Sequence, residues 1–317
     1  MSDVRPLVSA PAPRNPATDP WIWMGAAMFA HTGWGAYPVF ARYLQTVSFI
    51  PSMALLALGN LIALAIFAPF VLRRLDMRFL REPAIWLFAL VVVLRAITNI
   101  LAARFTLAIY VQLITLMTPL IVALLSAGLF RERLPPATWP ALGLSLVGSM
   151  LMMSGDLGGQ GVALALTASD LLGLGLALVS AFCLAFYMIL VPRTVKASVP
   201  GETVMLVQLA ALTLVTGAIS LLIGEDWSRY SQLAASDWLA FLTFVGFVLL
   251  GANLAQITAL RHLGAPMVSS TMAWRLLATL GLAALLLGEY LTSLWQILGA
   301  VIVFVTITAY LQRQRRV

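Results

Sequence analysis

Arg275 is the residue of this chain hardest to reconcile with its surroundings. It lies near the middle of an apolar stretch that begins around Ala265, with Thr271 and Thr279 four residues to either side. That spacing sets all three on one face of a helix. A guanidinium is a permanent cation whose rigid fork of donors matches a carboxylate or a phosphate. At a bilayer centre such a group costs about 2.5–3.5 kcal/mol on insertion scales, so a partner, a cavity or a function has to answer it. Two roles fit: an arginine that fixes helix packing through backbone carbonyls, and one that faces a cavity and holds an anionic group. Arg95 raises the same question in another apolar stretch, with Thr98, Asn99 and Ala102 at helical spacing. Its alternative is to snorkel to the membrane interface.

A second set of polar groups falls at helical spacing. His31, Trp34, Gly35 and Pro38 stand at i, i+3, i+4 and i+7, Gln112, Thr115 and Pro119 share another face, and Asn253 and Gln256 a third. Tyr37, Tyr187 and Trp274 add aromatic rings within apolar stretches. A histidine on such a face serves either as a structural hydrogen bonder or, because imidazole ordinarily titrates near neutral pH, as a proton carrier. The aromatic rings serve either as cavity lining or as core and interfacial packing, and Trp21 and Trp23 read as interfacial. Arg275, Trp34, Tyr37, His31, Asn99, Arg95, Gln112, Thr115, Tyr187, Asn253, Gln256, Thr271 and Trp274 are therefore the candidate binding residues.

The elements that must position them follow from composition. Of 317 residues 62% are hydrophobic and 10% charged, against about 25% charged in an average soluble domain. The apolar residues come in blocks of about 20, the length that crosses a bilayer as a helix. Blocks near 21–41, 51–72, 84–103, 107–130, 137–153, 170–191, 202–223, 237–259, 265–287 and 293–311 predict an all-α polytopic membrane protein with ten transmembrane helices. Residues 1–20 read as a proline-rich cytoplasmic tail without the apolar core of a signal peptide. With both termini cytoplasmic, 14 of the 19 Lys and Arg residues fall on the cytoplasmic side and Arg42, Arg104 and Arg229 outside. The positive-inside rule thus predicts N-in, C-in insertion in an inner membrane.

The chain also repeats. A displacement of 157 residues lays Asn99–Arg104 on Gln256–Arg261 and Glu132 on Glu289, and one of 150 lays Gly25 and Tyr37 on Gly175 and Tyr187. Halves at 21–155 and 170–312 each hold five spans. An odd number per half inserts the second upside down, the inverted repeat from which carriers build alternating access. Helix 1 reads Gly33-Trp34-Gly35, helix 4 runs from Thr118-Pro119 to Phe130-Arg131-Glu132-Arg133-Leu134, and helix 9 ends Leu287-Gly288-Glu289-Tyr290-Leu291-Thr292 before Gly299-Ala300. This pattern resembles the EamA-type drug/metabolite transporter superfamily over nearly the whole chain after Pro20. The resemblance implies a secondary transporter in which helices 1, 3, 4, 6, 8 and 9 line the cavity and helices 5 and 10 face lipid or a second copy in a homodimer. One departure stands out: Arg275-Leu276 occupies the place of Thr118-Pro119, so the break expected in helix 9 is replaced by a charge.

Other classes find little support in the residues. An embedded enzyme needs a nucleophile with its base or a metal set, and two histidines, one intramembrane Cys183 and no carboxylate within a span supply neither a catalytic, a metal nor a cofactor site. No Walker A loop is present, so ATP is not the direct drive. The net charge of +7 is scattered rather than gathered on a face, which argues against nucleic acid. The expected partners are the bilayer and a small solute such as an amino acid, with phosphorylated or other anionic metabolites as the alternative.

Overall fold

In hydrocarbon a backbone must satisfy its own amides, which leaves helices as the form these apolar blocks can take. The computed structural model describes residues 20–72, 83–130, 137–154, 166–194, 201–263, 267–268 and 271–316. The tail to residue 19 and Glu132 lie outside them. The elements run α1 (Pro20–Thr46), α2 (Ser52–Val71), α3 (Pro83–Phe105), α4 (Ala108–Leu116), α5 (Thr118–Phe130), α6 (Thr138–Met153), α7 (Ala168–Thr194), α8 (Gly201–Leu222), α9 (Ala235–Thr243), a π-helical stretch Phe244–Ala252, α10 (Asn253–Leu263), α11 (Trp274–Leu287) and α12 (Leu294–Arg316).

Among the described residues, seven stretches are long and apolar enough to cross a membrane: Ser52–Val71, Ile85–Phe105, Ala108–Leu129, Ala168–Ile189, Glu202–Leu222, Ala235–Ala259 and Leu294–Arg313. The apolar helices α6 and α11 are shorter. Helix α1 has length to spare at 27 residues, but His31, Thr32, Arg42, Gln45 and Thr46 dilute its hydropathy.

Packing between the halves follows a two-fold pattern. Helix α2 packs on α8 and α6 on α12, each on its own counterpart in the repeat, while α3 against α7 is mirrored by α1 against the π stretch and α10. Likewise α1 against α11 is mirrored by α7 against α4 and α5. These helices are apolar on most of their circumference, so close approach rather than a hydrophobic stripe selects their neighbours. Gly35 shows it: a Cβ there would lie 2.5 Å from the carbonyl oxygen of Arg275, so only glycine lets α1 meet α11.

Both repeats contain a broken span, which corrects the expectation that a charge replaces the break in helix 9. In the first half α4 stops at Leu116 and α5 starts at Thr118, ahead of Pro119. In the second half Thr271–Ala273 form a turn and α11 starts at Trp274, and none of the described residues from Met267 to Leu276 is a proline. The cause is competition for one carbonyl. Val268 O accepts from Thr271 N at 3.3 Å, Thr271 Oγ1 at 2.9 Å and His31 Nε2 at 2.9 Å, and Trp274, Arg275 and Leu276 donate to residues three back rather than four. Side chains that bond backbone locally tighten and break the ladder.

At one end of the bundle four carboxylates tie helix ends together. Glu225 accepts from Met53 N and Ala54 N at the start of α2, at 3.1 and 2.7 Å, where the helix dipole favours a negative charge. Asp237 accepts from Tyr43 OH and Ser48 Oγ, and Asp170 from Thr106 Oγ1 at 2.7 Å. Glu289, placed by the left-handed turn at Gly288 (φ 65°), pairs with Arg42 Nε at 2.8 Å. Arg42 also donates to the carbonyls of Ala103 and Thr106. Burial pushes the Glu289 carboxyl above its ordinary value, and Arg42 opposes that rise.

Candidate functional site

A cavity opens between the two halves beside both helix breaks. Helix α1 contributes Trp34, Tyr37 and Pro38, α3 Arg95 and Asn99, α4 Gln112 and Thr115, and Asn253 begins α10 after the π stretch. Arg275 enters from the second position of α11. Asn60 of α2 and Gln208 of α8 complete its polar wall.

The two arginines share one aromatic ring. The guanidinium carbon of Arg95 lies 5.4 Å and that of Arg275 5.9 Å from the centre of the Trp34 ring, within cation–π range. Neither forms an ion pair among the described residues, and no Asp or Glu lines the cavity. Arg275 is 6% exposed and is held from behind: its Nε donates to His31 Nδ1 at 3.1 Å, while His31 Nε2 donates to Val268 O. The lone pair of Nδ1 therefore points at the guanidinium. That arrangement makes His31, itself 1% exposed, a support for Arg275 rather than a group facing the cavity.

Several buried polar atoms have no hydrogen-bond partner among the described residues. Trp34 Nε1, Gln112 Nε2 and Asn99 Oδ1 are three of them, and all belong to cavity residues. Buried polar groups are ordinarily paired, so these three atoms are free to bond a water or a solute in the cavity. Asn99 is oriented from its other end: its Nδ2 donates to Ser180 Oγ at 3.2 Å, and Ser180 Oγ donates to Arg95 O at 3.1 Å.

Of the thirteen candidate residues read from the sequence, eight meet here: Arg275, Trp34, Tyr37, Asn99, Arg95, Gln112, Thr115 and Asn253. His31 sits behind the wall. Thr271 bonds Val268 O, and Trp274, 38% exposed, donates to Thr32 Oγ1. Tyr187 packs on Phe88, and Gln256 lies a turn beyond Asn253 outside the lining. Thr279 bonds the carbonyls of Gly35 and Arg275, so it secures the α1–α11 contact instead of facing the cavity. The expected contribution of helix 6 is also corrected: α7 lends no residue to the lining, and α2 and α8 do. Helix α7 acts through Ser180, which holds α3. Asn60 and Gln208 were legible by the same reasoning that exposes Arg95, as lone amides in apolar spans.

The EamA-like transporter family model matches residues 21–154 and 171–311, one match to each half. The chain belongs to the EamA-like transporter family. As a member it is a multi-pass membrane transporter, set in lipid and binding small-molecule solutes, and EamA describes a family of transporters rather than of enzymes. No curated protein matches the sequence. A solved structure titled "Crystal structure of protein" is 20% identical, with a TM-score of 0.60 over 92% of this chain and 98% of that one. At that identity the likeness shows the fold alone, and it extends across both EamA repeats.

Proposed function

We propose that this EamA-family chain is a secondary transporter that carries small metabolites with an anionic end across the inner membrane by alternating access. The observation that supports it is the pair Arg95 and Arg275 on the Trp34 ring, in a cavity between the halves that no carboxylate lines. Helix breaks beside the site leave backbone groups where an unbroken helix would have none, a feature of carriers that bind solute near mid-membrane. The distribution of Lys and Arg supports an orientation with both termini in the cytoplasm, in which the end tied by Arg42 and Glu289 faces outside. An amino acid, the first expectation from the sequence, satisfies the arginines only through its carboxylate.

Counterflow in proteoliposomes tests the reading. Vesicles preloaded with an unlabelled solute should transiently accumulate the same solute in labelled form, and Arg275→Gln should suppress this. Equilibration without overshoot for every small anion and zwitterion tried would point to a pore.

A further inference from the structure

We infer that the cavity takes a small dianion, its two charges answered by Arg95 and Arg275 on either side of the solute beside Trp34, and that the carrier returns loaded, as an exchanger. This rests on the transport reading above and narrows its substrate class. The two guanidinium carbons lie 5.4 and 5.9 Å from one ring centre and so within about 11 Å of each other, a span that a short dicarboxylate or a phosphate monoester bridges. A monoanion neutralises one arginine and leaves the other bare. A zwitterion is worse placed, because its ammonium meets two cations, amides and hydroxyls but no carboxylate. The unpaired atoms point the same way: Trp34 Nε1 and Gln112 Nε2 are donors, and Asn99 Oδ1 is the acceptor among these three. The ring of Trp34 softens the two positive charges but does not cancel them.

Exchange follows from the same charges. An empty cavity that reorients carries two uncompensated guanidiniums through a medium that penalises buried charge, and its motion works with or against the membrane potential. A dianion brings the moving site to neutrality. The loaded form therefore crosses readily in both directions and the empty form does not, and no net charge moves when one dianion is traded for another.

The test uses purified full-length protein. Thermal unfolding in detergent is followed with succinate, its monomethyl ester, glycerol phosphate, inorganic phosphate and glutamine, and uptake of the stabilising dianion is compared in empty and preloaded proteoliposomes. At least one dianion should stabilise the protein ten-fold or more below the concentration that the half-ester requires. Arg95→Gln should erase that difference by weakening the dianion while sparing the half-ester. Uptake should need internal dianion and be indifferent to an imposed potential. Failure of every dianion tried to bind more tightly than the half-ester, or equally fast uptake into empty vesicles, would each overturn the inference. Counterflow of a monoanion or glutamine in those cases would still uphold transport, whereas counterflow of none of the five, with no binding, would fell both.

Discussion

Arg275 has its Nε engaged by His31, and the rest of its fork is available to the cavity. Arg275→Lys keeps the charge but loses both the bond to His31 and the bidentate geometry, and Arg275→Gln loses the charge as well. Solute affinity should fall in that order, with the full loss of a charge-assisted bond near 1.5–3 kcal/mol, about ten- to a hundredfold. Normal affinity with a much lower melting temperature in Arg275→Gln would make the residue a packing arginine. His31→Ala should weaken binding in the manner of Arg275→Lys and add little to Arg275→Gln, because the two act as one unit. A pH profile of exchange that His31→Ala flattens would instead restore the proton-carrier role. The sequence exposed Arg95, Trp34 and Asn99 because charge and amide stand out against an apolar block. It did not separate Thr271 and Thr279 from the cavity residues, since helical spacing gives a face and not what that face meets: here the carbonyls of Val268 and Gly35.

Among the elements, the contact of α1 with α11 depends on Gly35. Gly35→Ala places a methyl against the Arg275 carbonyl and Ala278; overpacking of this kind typically costs about 1–3 kcal/mol. The variant should melt lower and also lose affinity, because the displaced backbone is that of Arg275. A variant that melts lower with affinity intact would separate the helix contact from the site. The break ahead of α11 was misread from sequence for a definable reason. Proline is a visible helix breaker, whereas three donors converging on Val268 O come partly from α1, 237 residues away, and no local pattern records that. The pair Arg42–Glu289 joins the same two helices at their far end. Losing one partner of a buried pair costs about 3–5 kcal/mol, and since Arg42 is 21% exposed the loss in Arg42→Gln belongs toward the lower end of that range. The acid has its own signature. Burial raises the Glu289 carboxyl in the folded protein, so its contribution to stability is complete below the ordinary glutamate value, about 4.3, and is lost as pH rises through the folded-state value. The melting temperature of Glu289→Gln relative to the parent should therefore improve as pH rises from about 4 to about 7; a constant difference would show that the carboxyl is not perturbed.

For the whole molecule, the all-helical membrane class and the repeat were readable because lipid imposes length and composition on every crossing segment. The shorter α6 and α11 and the more polar α1 show where that rule blurs. Orientation is tested on the described surface: in a Cys183→Ala background, Gln232→Cys should react with an impermeant thiol reagent from outside and Gln312→Cys only from inside. Labelling of both from one side would overturn the N-in, C-in arrangement. The seam between α1 and α11 carries a mechanical implication. Trp274 with Thr32 and Arg275 with His31, then Thr279 with the Gly35 carbonyl, then Arg42 with Glu289 fasten this seam at three successive levels. The counterpart seam, α7 against α4 and α5, is mainly an apolar contact of Ile121, Ala181 and Ala185. Two rods riveted along their length turn as a single lever, and two greased surfaces slide. A bifunctional thiol reagent across Thr32→Cys and Trp274→Cys should thus leave exchange running, while one across Val122→Cys and Ala185→Cys should stop it; that outcome would mark the slack seam as the place where the molecule changes the side it faces.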